Sequence, residues 1–289
     1  MKILLTGARG QVGNELAQLL PAHGEVIALD RTALDLAQPD AIAKAMRDAR
    51  PDLVVNAGAY TAVDLAERER DAAFAVNARA PKVFADEAKR IGALLIHYST
   101  DYVFDGRATA PYDESAATGP LNVYGESKLE GERAIAASGA HAIVLRTSWV
   151  YGLTGKNFLL TIRRLARERD ELRIVGDQHG TPNWSRSLAE ATSALVGQGI
   201  AALAERSGLY HMSATGVTTW HGFATAIVGD APKPRVIPIA TAEYPTPARR
   251  PAYGALAGDR FRATFGIRLP AWQEALSACL ASERDGTRG

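Results

Sequence analysis

Residues 2–13 read KILLTGARGQVG. An apolar run over 2–6 ends in Gly7, Gly10 and Gly13 at the spacing GxxGxxG, and a helical pattern opens at residue 11. Gly7 permits a tight turn, Gly10 lets the backbone approach a pyrophosphate, and Gly13 lets the helix lie close on the sheet. The amides near Gln11 and Val12 face the phosphates. A glycine triplet by itself is a weak signal. Between a first strand and a first helix it reads as the loop of a dinucleotide-binding βαβ unit.

Outward from that unit, strands are expected at 25–30 (EVIALD), 52–56 (DLVVN), 93–99 (ALLIHYS) and 141–146 (HAIVLR), and helices at 11–20, 40–48, 71–90 and 122–137. Strand and helix alternate at short intervals, the rhythm of a parallel sheet with helices on both faces. Such strands are buried on both sides and should be nearly continuously apolar, as these are. The expected fold is α/β, a Rossmann-like doubly wound parallel sheet. Past residue 150 the stretches GDQHGTPNW, APKPRVIPI and YPTPARRP cut the chain into short pieces and shaped loops. The expected organisation is a dinucleotide-binding domain over 1–150 and a smaller, mainly substrate-binding part over 151–289. Segments near 188–204 and 210–213 are expected to return to the main sheet. The final SERDGTRG reads as a frayed tail.

The 289 residues suffice for a large core, and 47% hydrophobic with 22% charged residues is a globular balance. A net charge of +1 argues against nucleic acid or a membrane surface as partner. No apolar run reaches membrane-spanning length. Met1-Lys2 leads directly into a strand with no leader-like segment, so the cytoplasm is the expected compartment. The single cysteine, Cys279, lies in a terminal apolar pattern and reads as a small buried hydrophobe.

Asp30 ends the second strand, where an acidic side chain commonly takes the adenosine ribose diol, and Arg31 beside it could hold a 2′-phosphate instead. The pair leaves NADH and NADPH both open. Asp35, Leu36 and the segment Asn56-Ala57-Gly58-Ala59-Tyr60 follow strand ends, the ligand side of an open α/β sheet. Tyr124 precedes Lys128 by four residues in YGESK, which puts both on one helix face. A nearby ammonium favours the phenolate and would draw a tyrosine pKa down toward neutrality. Ser99 and Thr100, in HYSTDYVFDG, end a strand, and either hydroxyl could hold a carbonyl oxygen as charge develops on it. Together these features point to hydride transfer at a carbonyl, with Tyr124 as the acid.

The strings LLTGARGQVG, NAGAYTAVDLAE, HYSTDYVFDG, YGESKLEGE, RTSWVYG, NFLLTI, VGDQHGTPNW and YPTPARRP span nearly the whole chain. In them the sequence resembles the extended short-chain dehydrogenase/reductase superfamily and, within it, the dTDP-4-dehydrorhamnose reductase family. The resemblance implies NADPH- or NADH-dependent reduction of the C4 ketone of a dTDP-keto-deoxysugar, dTDP-6-deoxy-L-lyxo-4-hexulose, to dTDP-L-rhamnose. It implies Thr100 rather than Ser99 in the catalytic set, with Tyr124 and Lys128. It implies Trp149 as a wall against the sugar's methyl group, Tyr102 and Phe104 in the same pocket, and Gln178, Gly180 and Thr181 shaping the substrate loop. Arg249 and Arg250 would serve the diphosphate. Some family members form homodimers through magnesium held by glutamates. Glu15 and Glu190 match two of those positions, and Glu283 lies near the third. One departure is NAGAY, where the family more often has NAAAY; glycine there is expected to be tolerated or to add local freedom.

The same fold hosts 4,6-dehydratases and 4-epimerases of sugar nucleotides. The related dehydratases carry a glutamate after the TD pair, where this chain has Tyr102, so dehydration is disfavoured. An epimerase would re-reduce the sugar without net consumption of cofactor. A third alternative comes from another class: a regulatory subunit of a methionine adenosyltransferase resembles this family and binds NADP as an interaction protein. The complete Thr100, Tyr124 and Lys128 set favours an enzyme.

Overall fold

The computed structural model describes residues 1–230 and 232–284. Six strands, β1 (Lys2–Thr6), β2 (Glu25–Leu29), β3 (Leu53–Asn56), β4 (Leu94–Thr100), β5 (Ala142–Thr147) and β6 (Gly208–His211), form one sheet in the order β6-β5-β4-β3-β1-β2. Every pairing in it is parallel. The longer helices are α1 (Gln11–Leu19), α2 (Pro39–Ala49), α3 (Ala80–Ile91), α4 (Val123–Ser138), α5 (Phe158–Glu168), α6 (Ser185–Val196), α7 (Trp220–Val228) and α8 (Trp272–Arg284).

Side chains alternate along a strand. Ile3, Leu5, Leu53, Val55, Ile96 and Ile143 therefore meet Leu16 of α1 and Leu188 and Leu195 of α6 on one face. Leu4, Val54, Leu95 and Val144 meet Ile42 and Met46 of α2, Phe84 of α3 and Ile135 of α4 on the other. Both faces are dry, which is why the strands read as unbroken apolar runs. The expected helix over 71–90 is interrupted. Arg70–Phe74 passes into a π turn at Ala75–Arg79 before α3 begins. The extra residue in that turn aims Asn77 at the backbone of Tyr60, which it meets through both its oxygen (2.9 Å) and its nitrogen (3.0 Å).

The winding reverses between β1 and β3, and a crevice opens at their carboxyl ends. Gly7 stands there at φ +69°, where a Cβ would fall 2.6 Å from the Gly58 nitrogen. Only glycine fits that contact. A third core, around Tyr151, Leu159, Phe223, Trp272 and Cys279, lies beyond the sheet. A parallel pair, Glu171–Val175 with Arg235–Ile239, belongs to the same chain half. Helix α8 runs through Ser282 and Glu283, the start of the stretch read as a tail, and residues 285–289 of that stretch lie outside the described residues.

Candidate active site

The crevice begins with the glycine loop. Gly10 is the N-cap of α1 and brings no side chain to the first amides of the helix, so the end presents bare N–H groups. Gln11 supports this corner from the side, its amide nitrogen 3.5 Å from the Val150 carbonyl and its buried Oε1 without a protein partner. Asp30 is held in a turn: its Oδ1 accepts from Thr32 N (2.9 Å), Thr32 Oγ1 (2.6 Å) and Ala33 N (3.1 Å). These bonds, with Arg9 2.8 Å from its other oxygen, hold the carboxyl below the usual range. Arg9, within the glycine loop, was not singled out from the sequence. It shares the Asp30 corner with Arg31, which is exposed. Asp35 closes its own turn on Ala37 N (3.0 Å). Leu36 lies over Gly58, where an added Cβ would come 2.5 Å from Leu36 Cδ1, so glycine at 58 makes room for a side chain rather than loosening the loop. Ala57 packs beside it against the first core, and the Tyr60 hydroxyl donates to Glu69 (2.8 Å).

The catalytic candidates converge at the carboxyl end of β4. Asn122 caps α4, its Oδ1 accepting from Gly125 N (2.8 Å), and so fixes the turn that carries Tyr124. The Tyr124 hydroxyl faces Thr100, which favours its ionised form, and its ring meets Tyr102 edge-on with centroids 5.4 Å apart. Ser99 points elsewhere, donating to Glu132 at 2.5 Å. Lys128 is 2% exposed and donates to the Tyr98 carbonyl at 2.5 Å. One expectation is corrected here. Burial pushes the Tyr124 hydroxyl up to about 12 rather than down toward neutrality, with Thr100 pulling the other way and the Asp101 charge adding to the rise. Burial instead lowers Lys128 to about 8. Asp101, also missed in the sequence, is buried beside Thr100, whose hydroxyl donates to its Oδ1 (3.1 Å). Its Oδ2 has no protein partner, and burial raises it to about 7.

Among the residues expected to meet the substrate, Trp149 adopts φ +43°, a conformation that costs an ordinary residue about 1 kcal/mol or more and clusters at functional sites. Its ring stacks on Trp220 with centroids 3.5 Å apart. A Cβ on Gly180 would strike it at 2.5 Å, which explains the glycine. Thr181 is buried and donates to the Gly216 carbonyl (2.7 Å), and Gln178 donates to Thr241 (3.1 Å); both shape the loop from within. Phe104 departs from expectation. It is fully buried, stacked on Tyr112 at 4.1 Å behind the site, because the short turn after β4 folds it inward with Val103. Both terminal nitrogens of Arg250 lie 2.8 Å from Asp64, so its charge has a partner within the protein. Arg249 is the exposed member of the pair, and its carbonyl accepts from Asn122 (2.7 Å). The strap over 246–254 is thus tied down at Asp64 and Asn122, and its Gly254 lies against Asp101. Replacing Asp64 by Ala should release the strap. We expect kcat/KM for the sugar nucleotide to fall roughly ten- to a hundredfold through lost positioning, with new protease cleavage between 241 and 251. Unchanged cleavage would remove the tie.

The carboxylates expected to hold magnesium do not form such a set. Glu15 and Glu190 are brought together, but by Arg186, which lies 3.3 Å from one and 2.5 Å from the other. Glu283 pairs with Arg163. Among the described residues no three His, Cys, Asp or Glu side chains gather as metal ligands. A guanidinium between the two glutamates does not fit a divalent cation. No helix among the described residues is long and apolar enough to cross a membrane.

A parallel doubly wound sheet with a glycine loop at its switch point and a Tyr-x-x-x-Lys helix at the same edge defines the short-chain dehydrogenase/reductase class. Within that class the chain belongs to the family described as RmlD substrate binding domain, whose model matches residues 1–284. It is 50% identical to the dTDP-4-dehydrorhamnose reductase of Burkholderia thailandensis, over 97% of this chain and 98% of that protein. The crystal structure of a dTDP-4-dehydrorhamnose reductase from Clostridium acetobutylicum superposes with a TM-score of 0.92 at 36% identity, over 98% of this chain and 100% of that one. The Bacillus anthracis dTDP-4-dehydrorhamnose reductase in complex with NADP gives a TM-score of 0.91 at 34% identity, over 97% and 99%.

Proposed function

We propose that the chain reduces the C4 ketone of dTDP-6-deoxy-L-lyxo-4-hexulose to dTDP-L-rhamnose at the expense of NADPH or NADH. The observation that carries this reading is the placement of Tyr124 against Thr100 at the carboxyl end of β4, on the same side of the sheet as the uncapped N-terminus of α1, in a chain 50% identical to a dTDP-4-dehydrorhamnose reductase. The residues fit a dinucleotide. The bare amides of α1 suit a pyrophosphate, and the orphaned Gln11 Oε1 suits a polar neighbour at the same corner. When bound, the reduced nicotinamide supplies a hydride. Tyr124 gives its proton to the carbonyl oxygen, and Thr100 steadies the alkoxide that forms. Lys128 orients the cofactor ribose in its ammonium form. Trp149 walls the methyl side of the sugar, and Arg249 serves the diphosphate. Residues 1–150 act mainly on the cofactor and 151–289 mainly on the sugar nucleotide, in the cytoplasm. Magnesium has no part in this reading, because Arg186 already stands between Glu15 and Glu190.

The test is optical: NADPH and NADH consumption with freshly made keto-sugar nucleotide, and identification of the product. Stoichiometric consumption with dTDP-L-rhamnose formed supports the reading. Cofactor binding without consumption moves the weight to a binding role, and interconversion without consumption to an epimerase. Arg31→Ala is expected to raise KM for NADPH roughly tenfold while leaving NADH nearly unchanged, the loss of a charged hydrogen bond to the 2′-phosphate. Equal losses for both cofactors would strip Arg31 of that role.

Because burial lowers Lys128 to about 8, the ammonium is present below that pH and is lost above it. Turnover should therefore fall as pH rises through about 8, a limb read directly from a kcat profile. A rate flat to pH 10 would mean that the ammonium is not needed.

A further inference from the structure

Beneath Lys128 lies a buried imidazole that the reaction described above does not use. His97 is 1% exposed on β4, in register with Asn56 on β3. Its Nε2 is 3.3 Å from Lys128 Nζ, and its Nδ1 is 3.0 Å from Asn56 Nδ2. The Asn56 amide is oriented by its own oxygen, which accepts from the Thr6 hydroxyl (2.7 Å) and the Gly58 amide (3.3 Å). The ring therefore stands between two donors, an ammonium and an amide NH2. Burial and the Lys128 charge keep it neutral, with its pKa well below the ordinary value. A neutral imidazole has one lone pair, so it can accept from only one of these neighbours at a time.

Two arrangements complete the hydrogen bonding of the ring: one turns the Asn56 amide over, and the other keeps it as it stands. With Lys128 charged, Nε2 accepts from the ammonium and Nδ1 carries the hydrogen. Asn56 must then turn its oxygen to the ring and its NH2 to the Thr6 hydroxyl, releasing the Gly58 amide. With Lys128 neutral, Asn56 donates to Nδ1 and Nε2–H donates to the lysine lone pair. Among the described residues, the charges acting on the pair are Lys128 on His97 and Glu132 on Lys128. Glu132 lies one turn further along α4 and is held by Arg146 of β5 at 2.6 Å. Neither Asn56 nor Thr6 titrates.

We propose that His97 is a positioning residue for Lys128: its single lone pair holds the ammonium in the buried site, and the ring nitrogen that carries the hydrogen changes with the charge on Lys128. Through Asn56 the change reaches the Gly58 amide, in the loop that packs on Gly7. The kinetic consequence rests on the reductase reading, whereas the spectroscopic one does not.

The experiment is nitrogen-15 NMR of the full chain labelled at histidine and at backbone amides, followed from pH 6 to 10. The His97 resonances are assigned with His97→Gln. The expected result is an Nδ1–H tautomer at low pH that gives way to Nε2–H, with the Gly58 amide shifting at the same midpoint. In Lys128→Met the ring should stay Nε2–H throughout. An unchanging tautomer in the wild type, or a switch that persists in Lys128→Met, overturns the proposal. In turnover, His97→Leu should bring the alkaline limb down by about one to two pH units, the worth of one hydrogen bond to a charge. His97→Gln, whose Oε1 reaches the place of Nε2, should restore most of that shift. A folded Leu variant with an unmoved limb also overturns it, and if that variant does not fold, the wild-type and Lys128→Met spectra decide.

Discussion

Tyr124→Phe should lower kcat by about a hundredfold or more, the usual share of a positioned general acid, while the dissociation constant for NADPH stays within about twofold of wild type. The reasoning is local. Phenylalanine keeps the ring edge-on to Tyr102 and the same place on α4, whose start is fixed by Asn122, so little is lost except the hydroxyl that faces Thr100. Burial holds that hydroxyl up to about 12, so it stays protonated across the neutral range and enters the reaction as an acid. Single-turnover kinetics beside a cofactor titration separate the two effects. Near wild-type turnover would mean that another group delivers the proton.

The second large effect concerns stability. Arg146 and Glu132 form an ion pair only 4% and 5% exposed, held at 2.6 and 2.8 Å, and Ser99 adds a third bond to the carboxylate. Arg146 also lies over the Phe104 ring, 5.0 Å from its centroid. Arg146→Met keeps much of the apolar stem but strands a buried carboxylate. The expected cost is about 3–5 kcal/mol, which for a chain of this size lowers Tm by on the order of 10 °C. Removing both charges together, in Arg146→Met with Glu132→Leu, should recover most of the loss, since the penalty comes from the unmatched charge rather than from the absent pair. Thermal unfolding followed by circular dichroism measures both variants. If the single variant unfolds with the wild type, the pair does not sustain the packing between α4 and β5 below the site.

The central sheet was legible because its strands are buried on both faces, and the apolar runs fall within one or two residues of the observed β1 to β5. The sixth strand, Gly208–His211, overlaps the segment near 210–213 expected to return to the main sheet, but it is short and ends in a histidine, and its span and its place beside β5 come only from the pairing. Local pattern did not expose the break at Ala75–Arg79, since the helical periodicity continues through a π turn. At the site, Tyr124 and Lys128 were readable from spacing. The choice between Ser99 and Thr100 was not, since neighbouring residues on a strand face opposite ways and only the position of α4 shows which faces Tyr124. Asp64 and Trp220 were missed because their partners, Arg250 and Trp149, lie far away in sequence. Phe104 was misread for the converse reason, since an aromatic near a site motif carries no mark of the partner it finds in Tyr112.

The contact of Leu36 with Gly58 bears on how this loop could change over generations. Gly7 admits no side chain, because what it would strike is backbone, but at 58 the obstacle is the far end of a leucine. Alanine at 58 therefore becomes acceptable when the Leu36 tip swings aside or is shortened, whereas no side-chain movement opens room at 7. Of the two facing glycines, one is fixed by the backbone and the other only by a neighbour that can yield.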